Sequence, residues 1–464
     1  MKYQSTRGGV EPIDFQDAVM MGLAEDGGLV IPAFIPDVRD RLTRWSKLPY
    51  VDLAAEVIGL YATDIPPADL RSMIERAYGP SFPTEVAPVR EVGEVHILEL
   101  FHGPTLAFKD VALQLLGNLF EYILARRGGR LNILGATSGD TGSAAIAGVR
   151  GREGIDIFVM HPEGRTSPIQ QRQMTTVLDE NVHNIAVRGS FDDCQRIMKT
   201  LAGDLEFKRR YALGAVNSVN WARVLAQIVY YFHGVFRVQE DTGQSTVDLC
   251  VPTGNFGDIL AGWYARQMGL PIGRLICATN QNDILARFFN TGEYSLGEVH
   301  RSHSPSMDIQ VASNFERYLY YLLGEDGEAL KARMAEFART GALHVEAGDE
   351  GVDPTFTAGR ASEQQTLDAI RRTWDRYHYL LDPHTAVGVH VAGDRIRAQT
   401  PMLCLATAHP AKFPAAIAVA TGREDIATHP TIEKLAELPT RCVTLDDDVQ
   451  AVRAFIEQTV DPVD

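Results

Sequence analysis

Leu131-Asn132-Ile133-Leu134 is a short, largely apolar run that opens into Gly135-Ala136-Thr137-Ser138-Gly139-Asp140-Thr141-Gly142. A run this short, bounded by glycine, suits a buried strand rather than a helix. The loop after it is built of small and hydroxyl-bearing residues. Small residues let a backbone approach a ligand closely, and Ser and Thr hydroxyls beside the free N–H groups of a helix start suit an anion. From these residues alone, a glycine-rich turn ending in an N-cap is the alternative, and the weaker, reading. The loop is neither a Walker A loop, which needs GxxxxGK[ST], nor a GxGxxG fingerprint, and this disfavours a nucleotide-binding module.

The succession of strand, loop and helix repeats on both sides of this stretch. Residues 95–100, 155–160, 184–187, 247–251, 274–278 and 402–406 are further short apolar runs. Helical patterns lie between them, such as 111–127, where Leu115, Leu116, Leu119, Tyr122 and Ile123 share one face. Apolar strands alternating with helices indicate parallel sheets buried on both faces. The expected fold is α/β, with two doubly wound sheet domains and a mostly helical N-terminal segment. The expected boundaries are 1–95 for that segment, 96–215 for a smaller α/β domain, and 216–464 for a larger one with a helical insertion near 315–381. Ser362-Glu363-Gln364-Gln365 has the form of a capping box, and Leu367, Ile370, Trp374, Tyr377 and Leu381 follow at helical spacing.

Composition sets outer limits. The chain has 464 residues, 44 basic and 60 acidic, for a net charge of −16, and is 45% apolar and 22% charged. These proportions exclude disorder, collagen and coiled coil as the main organisation. The acidic balance excludes a polybasic nucleic-acid binder but not an anionic small substrate, because a site answers to its local field. Cys194, Cys250, Cys277, Cys404 and Cys442 are scattered and include no CxxC pair, so neither a disulfide scaffold nor a zinc ribbon is indicated. The N-terminus lacks an apolar signal region, and no apolar run nears the roughly 18 residues of a membrane span. A cytoplasmic protein with no membrane or nucleic-acid partner is expected.

Two further loops carry chemistry. Thr253-Gly254-Asn255-Phe256-Gly257-Asp258 follows the run 247–251 and precedes a helix at 259–268. It is a second anion cradle, and with no Lys or Arg its backbone amides would do the binding. Two cradles suit a phosphorylated cofactor together with an anionic substrate. Phe101-His102-Gly103-Pro104-Thr105-Leu106-Ala107-Phe108-Lys109-Asp110 leads from the run 95–100 into a helix. A cation is disfavoured at the positive end of a helix dipole, so Lys109 is a candidate for a lowered pKa and imine chemistry. A solvated lysine at a helix start is the plainer reading of the same position. His300 and His303 form an HxxH pair without a third ligand, and no metal is expected. Asp382-Pro383-His384 reads as a turn supporting the site. No G-x-S-x-G elbow is present.

The ordered set of motifs along the whole chain resembles the threonine synthase family, pyridoxal 5′-phosphate (PLP) enzymes of fold type II, the tryptophan synthase β-like fold. The N-terminal part carries Tyr3-Gln4-Ser5-Thr6-Arg7-Gly8 and Gly22-Leu23-Ala24-Glu25-Asp26-Gly27-Gly28-Leu29. His102-Gly103-Pro104-Thr105, Phe108-Lys109-Asp110 and Ala136-Thr137-Ser138-Gly139-Asp140-Thr141-Gly142 follow. Next come Asn217-Ser218-Val219-Asn220-Trp221-Ala222-Arg223 and Gly254-Asn255-Phe256-Gly257-Asp258. Ser304-Pro305-Ser306-Met307-Asp308, Asp382-Pro383-His384-Thr385-Ala386 and Thr407-Ala408-His409-Pro410-Ala411-Lys412-Phe413 complete the set. A PLP lysine motif alone would indicate only fold type II. The ordered set is similar to the threonine synthase branch with a long N-terminal segment.

The resemblance implies a role for each motif. Lys109 would carry the cofactor covalently and then shuttle protons at the substrate Cα and Cβ. Gly254, Asn255, Phe256 and Gly257, with Asp258 beside them, would cradle the cofactor phosphate. Thr407 would face the pyridine nitrogen. A hydroxyl there does not hold the nitrogen protonated as a carboxylate would, which suits an enzyme that goes on to eliminate at Cγ. Thr137, Ser138, Asp140 and Thr141 would lie near the substrate carboxylate or the cofactor O3′. Many relatives carry Asn where Asp140 stands, and an Asp cannot donate to O3′ unless protonated. Asn217, Ser218 and Arg223 would hold the substrate phosphate, Arg as the charge-assisted donor. The implied reaction turns O-phospho-L-homoserine and water into L-threonine and phosphate, by γ-elimination and β-addition of water, in a monomer or homodimer. A phospho-lyase releasing an oxo acid would keep Lys109 and both cradles. A non-catalytic PLP-binding protein would not need Asn217, Ser218 and Arg223.

Overall fold

The run at 131 forms the strand Leu131–Ala136, and its neighbours show why it is apolar. It pairs in parallel with Ile155–Pro162 on one side, with Leu131 opposite Ile155, and with Leu213–Gly214 on the other. The computed structural model describes residues 1–82, 85–137, 139–214 and 216–463. The chain divides into two compact units that interleave in sequence.

The smaller unit comprises Glu75–Ser81, Gly103–Asn217 and His429–Asp464. Its five-stranded sheet runs in the order Val443–Asp446, Val182–Arg188, Ile155–Pro162, Leu131–Ala136, Leu213–Gly214, every pair parallel. Leu134, Phe158, Met160, Ile185 and Val187 point to one face. There they pack on Cys194, Ile197 and Leu201 of the helix Phe191–Gly203 and on Val452 and Ile456 of the helix Val449–Thr459. Val159 alternates to the opposite face, which the helix Asp140–Val149 covers. A Cβ at Gly142 would stand 3.0 Å from Val159 Cγ1 and 2.5 Å from Thr137 Cγ2, so only glycine lets this helix lie so close.

The larger unit comprises Met1–Ile74, Phe82–His102 and Ser218–Thr428. Its six strands run Phe356–Arg360, Ile272–Thr279, Val247–Pro252, Met402–Ala406, Val95–Glu99, Val89–Val92. All pairs are parallel except the last, at the edge. Ile97, Cys250, Ile276 and Cys404 face Ile370 of the helix Glu363–Tyr377 and Val387 and Val391 of the helix Pro383–Gly393. On the other face, Leu403 and Leu98 stand 3.0 and 3.1 Å from where a Cβ of Gly234 would be. Gly234 thus seats the helix Trp221–Thr242 on the sheet. Both units are doubly wound. No described helix is long and apolar enough to cross a membrane.

Three features depart from the sequence reading. Residues from His429 on belong with the smaller unit rather than with 216–428, because Val443–Asp446 pairs with Val182–Arg188. The span 315–381 is not purely helical: after the helices Phe315–Leu322 and Gly327–Thr340, Phe356–Arg360 supplies an edge strand of the larger sheet. The N-terminal segment contains the helices Phe15–Met21, Tyr50–Gly59 and Pro67–Tyr78, together with an antiparallel strand pair, Tyr3–Ser5 and Val30–Pro32. Its residues up to Ile74 belong to the larger unit.

Candidate active site

In the smaller unit, Lys109 opens the helix Lys109–Arg127. A compact turn sets it there. Asp110 is wholly buried and accepts from the Thr105 N–H at 2.8 Å and the Thr105 hydroxyl at 2.6 Å. Gln173 Nε2 donates to the Thr105 carbonyl at 3.0 Å. A Cβ at Gly103 would collide with Asp110 Cβ at 2.4 Å. The Gly-Pro-Thr and Phe-Lys-Asp motifs therefore form one structure that fixes where Lys109 starts. The Lys109 side chain is 11% exposed, and its Nζ lies 3.7 Å from Asp140 Oδ2 and 5.1 Å from the Phe108 ring centroid.

The glycine-rich loop is ordered from inside. Thr137 Oγ1 accepts from the Gly139 N–H at 2.9 Å and the Gly142 N–H at 3.0 Å. Its hydroxyl shapes the loop. Asp140 Oδ1 accepts from Gln170 Nε2 at 2.8 Å, which leaves Oδ2 toward Lys109. Thr141 is the second residue of the helix Asp140–Val149. Ser138 lies outside the described residues.

In the larger unit, the loop after Val247–Pro252 is a backbone cradle. A Cβ at Gly254 would stand 2.6 Å from the Ser306 carbonyl oxygen, and one at Gly257 3.1 Å from Asn314 Nδ2. Phe256 takes a left-handed conformation at φ 64°, which costs a bulky residue about 1–3 kcal/mol. Its ring offsets that cost by packing among Phe289, Phe315, Tyr318 and Phe356. The first N–H groups of the helix Gly257–Gln267 have no acceptor within the helix, and an anion suits them. The Asp258 side chain turns the other way. Its Oδ1 accepts from Tyr230 and Tyr231 hydroxyls at 2.5 and 2.8 Å, and burial pushes its pKa up to about 6. Only its backbone amide is left to face a phosphate.

Ser218 and Arg223 precede and begin the helix Trp221–Thr242. Ser218 Oγ and Ser313 Oγ are 2.6 Å apart. Arg223 is 6% exposed, and its Nη1 has no acceptor among the described residues. Burial pushes its pKa down to about 10. Asn217, in the smaller unit, likewise has a buried Oδ1 without a donor among the described residues. Sequence reasoning missed Asn314, which is wholly buried. Its Nδ2 donates to the Ser218 carbonyl at 3.0 Å and the Asn255 carbonyl at 3.3 Å, tying the phosphate cradle to the Ser218 loop. Thr407, 6% exposed, follows the strand Met402–Ala406, and its N–H donates to Thr385 Oγ1 at 3.3 Å.

A sheltered lysine at a helix start, a backbone cradle that Cβ atoms would fill, and a buried guanidinium lacking an acceptor fit PLP and a phosphorylated substrate. Residues 82–348 match the family described as pyridoxal-phosphate dependent enzyme, which places the chain in the fold type II PLP class. Residues 2–78 match Threonine synthase N terminus, and 385–456 match Threonine synthase, C-terminal. A threonine synthase of Pseudomonas aeruginosa is 46% identical over 99% of this chain and 98% of its own. The structure of PLP-bound threonine synthase from Brucella melitensis superposes with a TM-score of 0.94 at 42% identity, covering 99% of both chains. That of the yeast threonine synthase gives 0.93 at 43% identity, over 99% of this chain and 98% of that one. The chain belongs to the threonine synthase family. It is a PLP-dependent lyase of threonine biosynthesis.

Proposed function

We propose that the substrate is O-phospho-L-homoserine, which reacts with water to give L-threonine and phosphate, in a cytoplasmic monomer or homodimer. The observation that carries this reading is Arg223. A buried guanidinium with an unpaired donor is costly, and a phosphate is the ligand that satisfies it best, through charge-assisted hydrogen bonds. The backbone cradle at Gly254–Gly257 accounts for one phosphate, on the cofactor. Arg223, with Asn217 and Ser218, accounts for the second, on the substrate.

PLP, when bound, supplies an electron-withdrawing ring that acidifies the substrate Cα and Cβ protons. Lys109 holds the cofactor and then, as an amine, takes protons from Cα and Cβ; after phosphate has left Cγ it returns one proton to Cγ and, once water has added at Cβ, one to Cα. Asp140, 3.7 Å away, is a counter-ion to that amine. Thr407 presents a hydroxyl to the ring nitrogen. Thr141 and the loop that Thr137 shapes receive the substrate carboxylate. Arg223 stays paired with the phosphate as it departs, and water adds at Cβ.

The test is to incubate the PLP-loaded protein with O-phosphohomoserine and measure threonine and phosphate together. Equal amounts of both are expected. Phosphate with an oxo acid would make the chain a phospho-lyase, and neither product would refute the substrate.

A further inference from the structure

Asp382 is almost wholly buried in the larger unit and takes no part in the chemistry above. Both of its oxygens are engaged. Oδ1 accepts from the His384 N–H at 2.9 Å and from His384 Nδ1 at 2.8 Å. Oδ2 accepts from the Thr385 N–H at 3.3 Å and from the Thr385 hydroxyl. A carboxylate facing Nδ1 places the ring proton there, which leaves Nε2 an acceptor. Nε2 takes the Ser306 N–H at 3.2 Å. Ser306 is the residue whose carbonyl oxygen would stand 2.6 Å from a Cβ at Gly254, so its backbone walls the phosphate cradle. On the other branch, Thr385 Oγ1 gives its proton to Asp382 and so accepts the N–H of Thr407 at 3.3 Å.

We propose that Asp382 is a positioning residue that sets both ends of the cofactor site. Through His384 it seats Ser306 against the phosphate cradle, and through Thr385 it fixes the backbone of Thr407 at the ring nitrogen. The inference rests on the PLP assignments above. A carboxylate is needed because all four groups around it are donors. An amide would turn its own donor toward one branch. The branches leave from different oxygens, so each can be cut alone.

The experiment uses apo protein titrated with PLP, read as the dissociation constant and as the absorption maximum of the bound cofactor. His384→Leu removes the Nε2 acceptor that seats the Ser306 N–H. PLP binding should weaken roughly five- to twenty-fold, with the absorption maximum unchanged. His384→Gln offers an acceptor in place of Nε2 and should recover most of the affinity. Thr385→Val keeps the shape and removes the hydroxyl. It should shift the absorption maximum while PLP affinity stays within about twofold, and Thr385→Ser should restore it. Parallel changes in both readouts from both variants, or no change in either, would overturn the proposal. If His384→Leu fails to fold, the Gln, Val and Ser variants still separate the branches. If wild-type protein binds no PLP, or borohydride labels a lysine other than Lys109, the underlying reading fails instead.

Discussion

Arg223 occupies the third position of the helix Trp221–Thr242, buried, with Nη1 lacking an acceptor among the described residues. Burial holds its pKa at about 10, and the gap to an ordinary guanidinium corresponds to about 3 kcal/mol weighing on the charged form. Because the folded value lies below the unfolded one, that penalty is complete at neutral pH and eases only as pH rises past about 10. The ligand-free protein therefore carries a cost, which an arriving phosphate should relieve. Arg223→Met keeps the bulk and removes the charge. Its ligand-free Tm should equal or exceed that of the wild type. Its kcat/KM for O-phosphohomoserine should fall at least ten- to a hundred-fold, the equivalent of about 1.5–3 kcal/mol for a lost charged hydrogen bond. Because phosphate is also the leaving group, kcat should drop and not only KM rise. Inorganic phosphate should raise the Tm of the wild type and leave the variant unmoved. Arg223→Lys should recover little, since an ammonium lacks the planar fork. Wild-type kcat/KM in Arg223→Met would refute the substrate role. Loss of PLP would move Arg223 to the cofactor phosphate instead.

Lys109→Ala should retain some PLP through the backbone cradle but lose turnover, and borohydride reduction of the wild type should label Lys109; peptide mapping checks both, and label on another lysine refutes the assignment. Thr407→Asp should keep the fold and favour a protonated ring nitrogen, diverting product toward transamination; unchanged partitioning, measured by chromatography, removes Thr407 from that nitrogen. Asp258, raised to about 6, makes stability fall as pH climbs from the ordinary carboxylate range through that value, by up to about 3 kcal/mol. Asp258→Asn can still accept from Tyr230 and Tyr231, so its Tm should exceed the wild type at pH 8 by a margin that shrinks towards pH 5. A margin independent of pH would show that the buried charge is not its source.

The strands with continuous apolar runs were legible in sequence: Met402–Ala406 was read residue for residue, and the run at 131–134 extends only to Ala136. The strands that escaped are short or peripheral. Val443–Asp446 is mostly exposed, so nothing forces its residues to be apolar. Phe356–Arg360 is an edge strand carrying Gly359 and Arg360. The glycine-rich loops and the lysine at a helix start were legible because they break local rules. What a hydroxyl or carboxylate does inside such a loop was not. Thr137 and Asp258 carry the right groups for a ligand, yet one organises its own loop and the other turns to two tyrosines. Asn314 was invisible, because a lone amide before an aromatic has no spacing signature.

The helix Phe315–Leu322 shows how the N-terminal motif connects to the backbone cradle of the larger unit. Glu316 accepts from the Thr6 hydroxyl at 2.9 Å and, in a fork, from Arg7 Nε at 2.9 Å and Nη2 at 2.8 Å. Arg317 is wholly buried and donates to the carbonyls of Val30 at 3.0 and 2.9 Å and of Val219 at 2.5 Å. Among the described residues no carboxylate forms an ion pair with it, and burial holds its pKa at about 10. Its charge is met by backbone dipoles and by Asn314 Oδ1 at 2.6 Å. Those dipoles belong to the second N-terminal strand and to the loop that ends at Asn220. Asn314 continues the chain of contacts to the cradle at Asn255. The fork from Arg7 of the Ser5-Thr6-Arg7-Gly8 motif to Glu316 holds one end of the helix-borne network whose other end fixes the Ser218 and Asn255 loops. Buried donors paired to backbone carbonyls tolerate no substitute of different geometry. That requirement gives an N-terminal segment remote in sequence from Lys109 a physical reason to carry a motif at all.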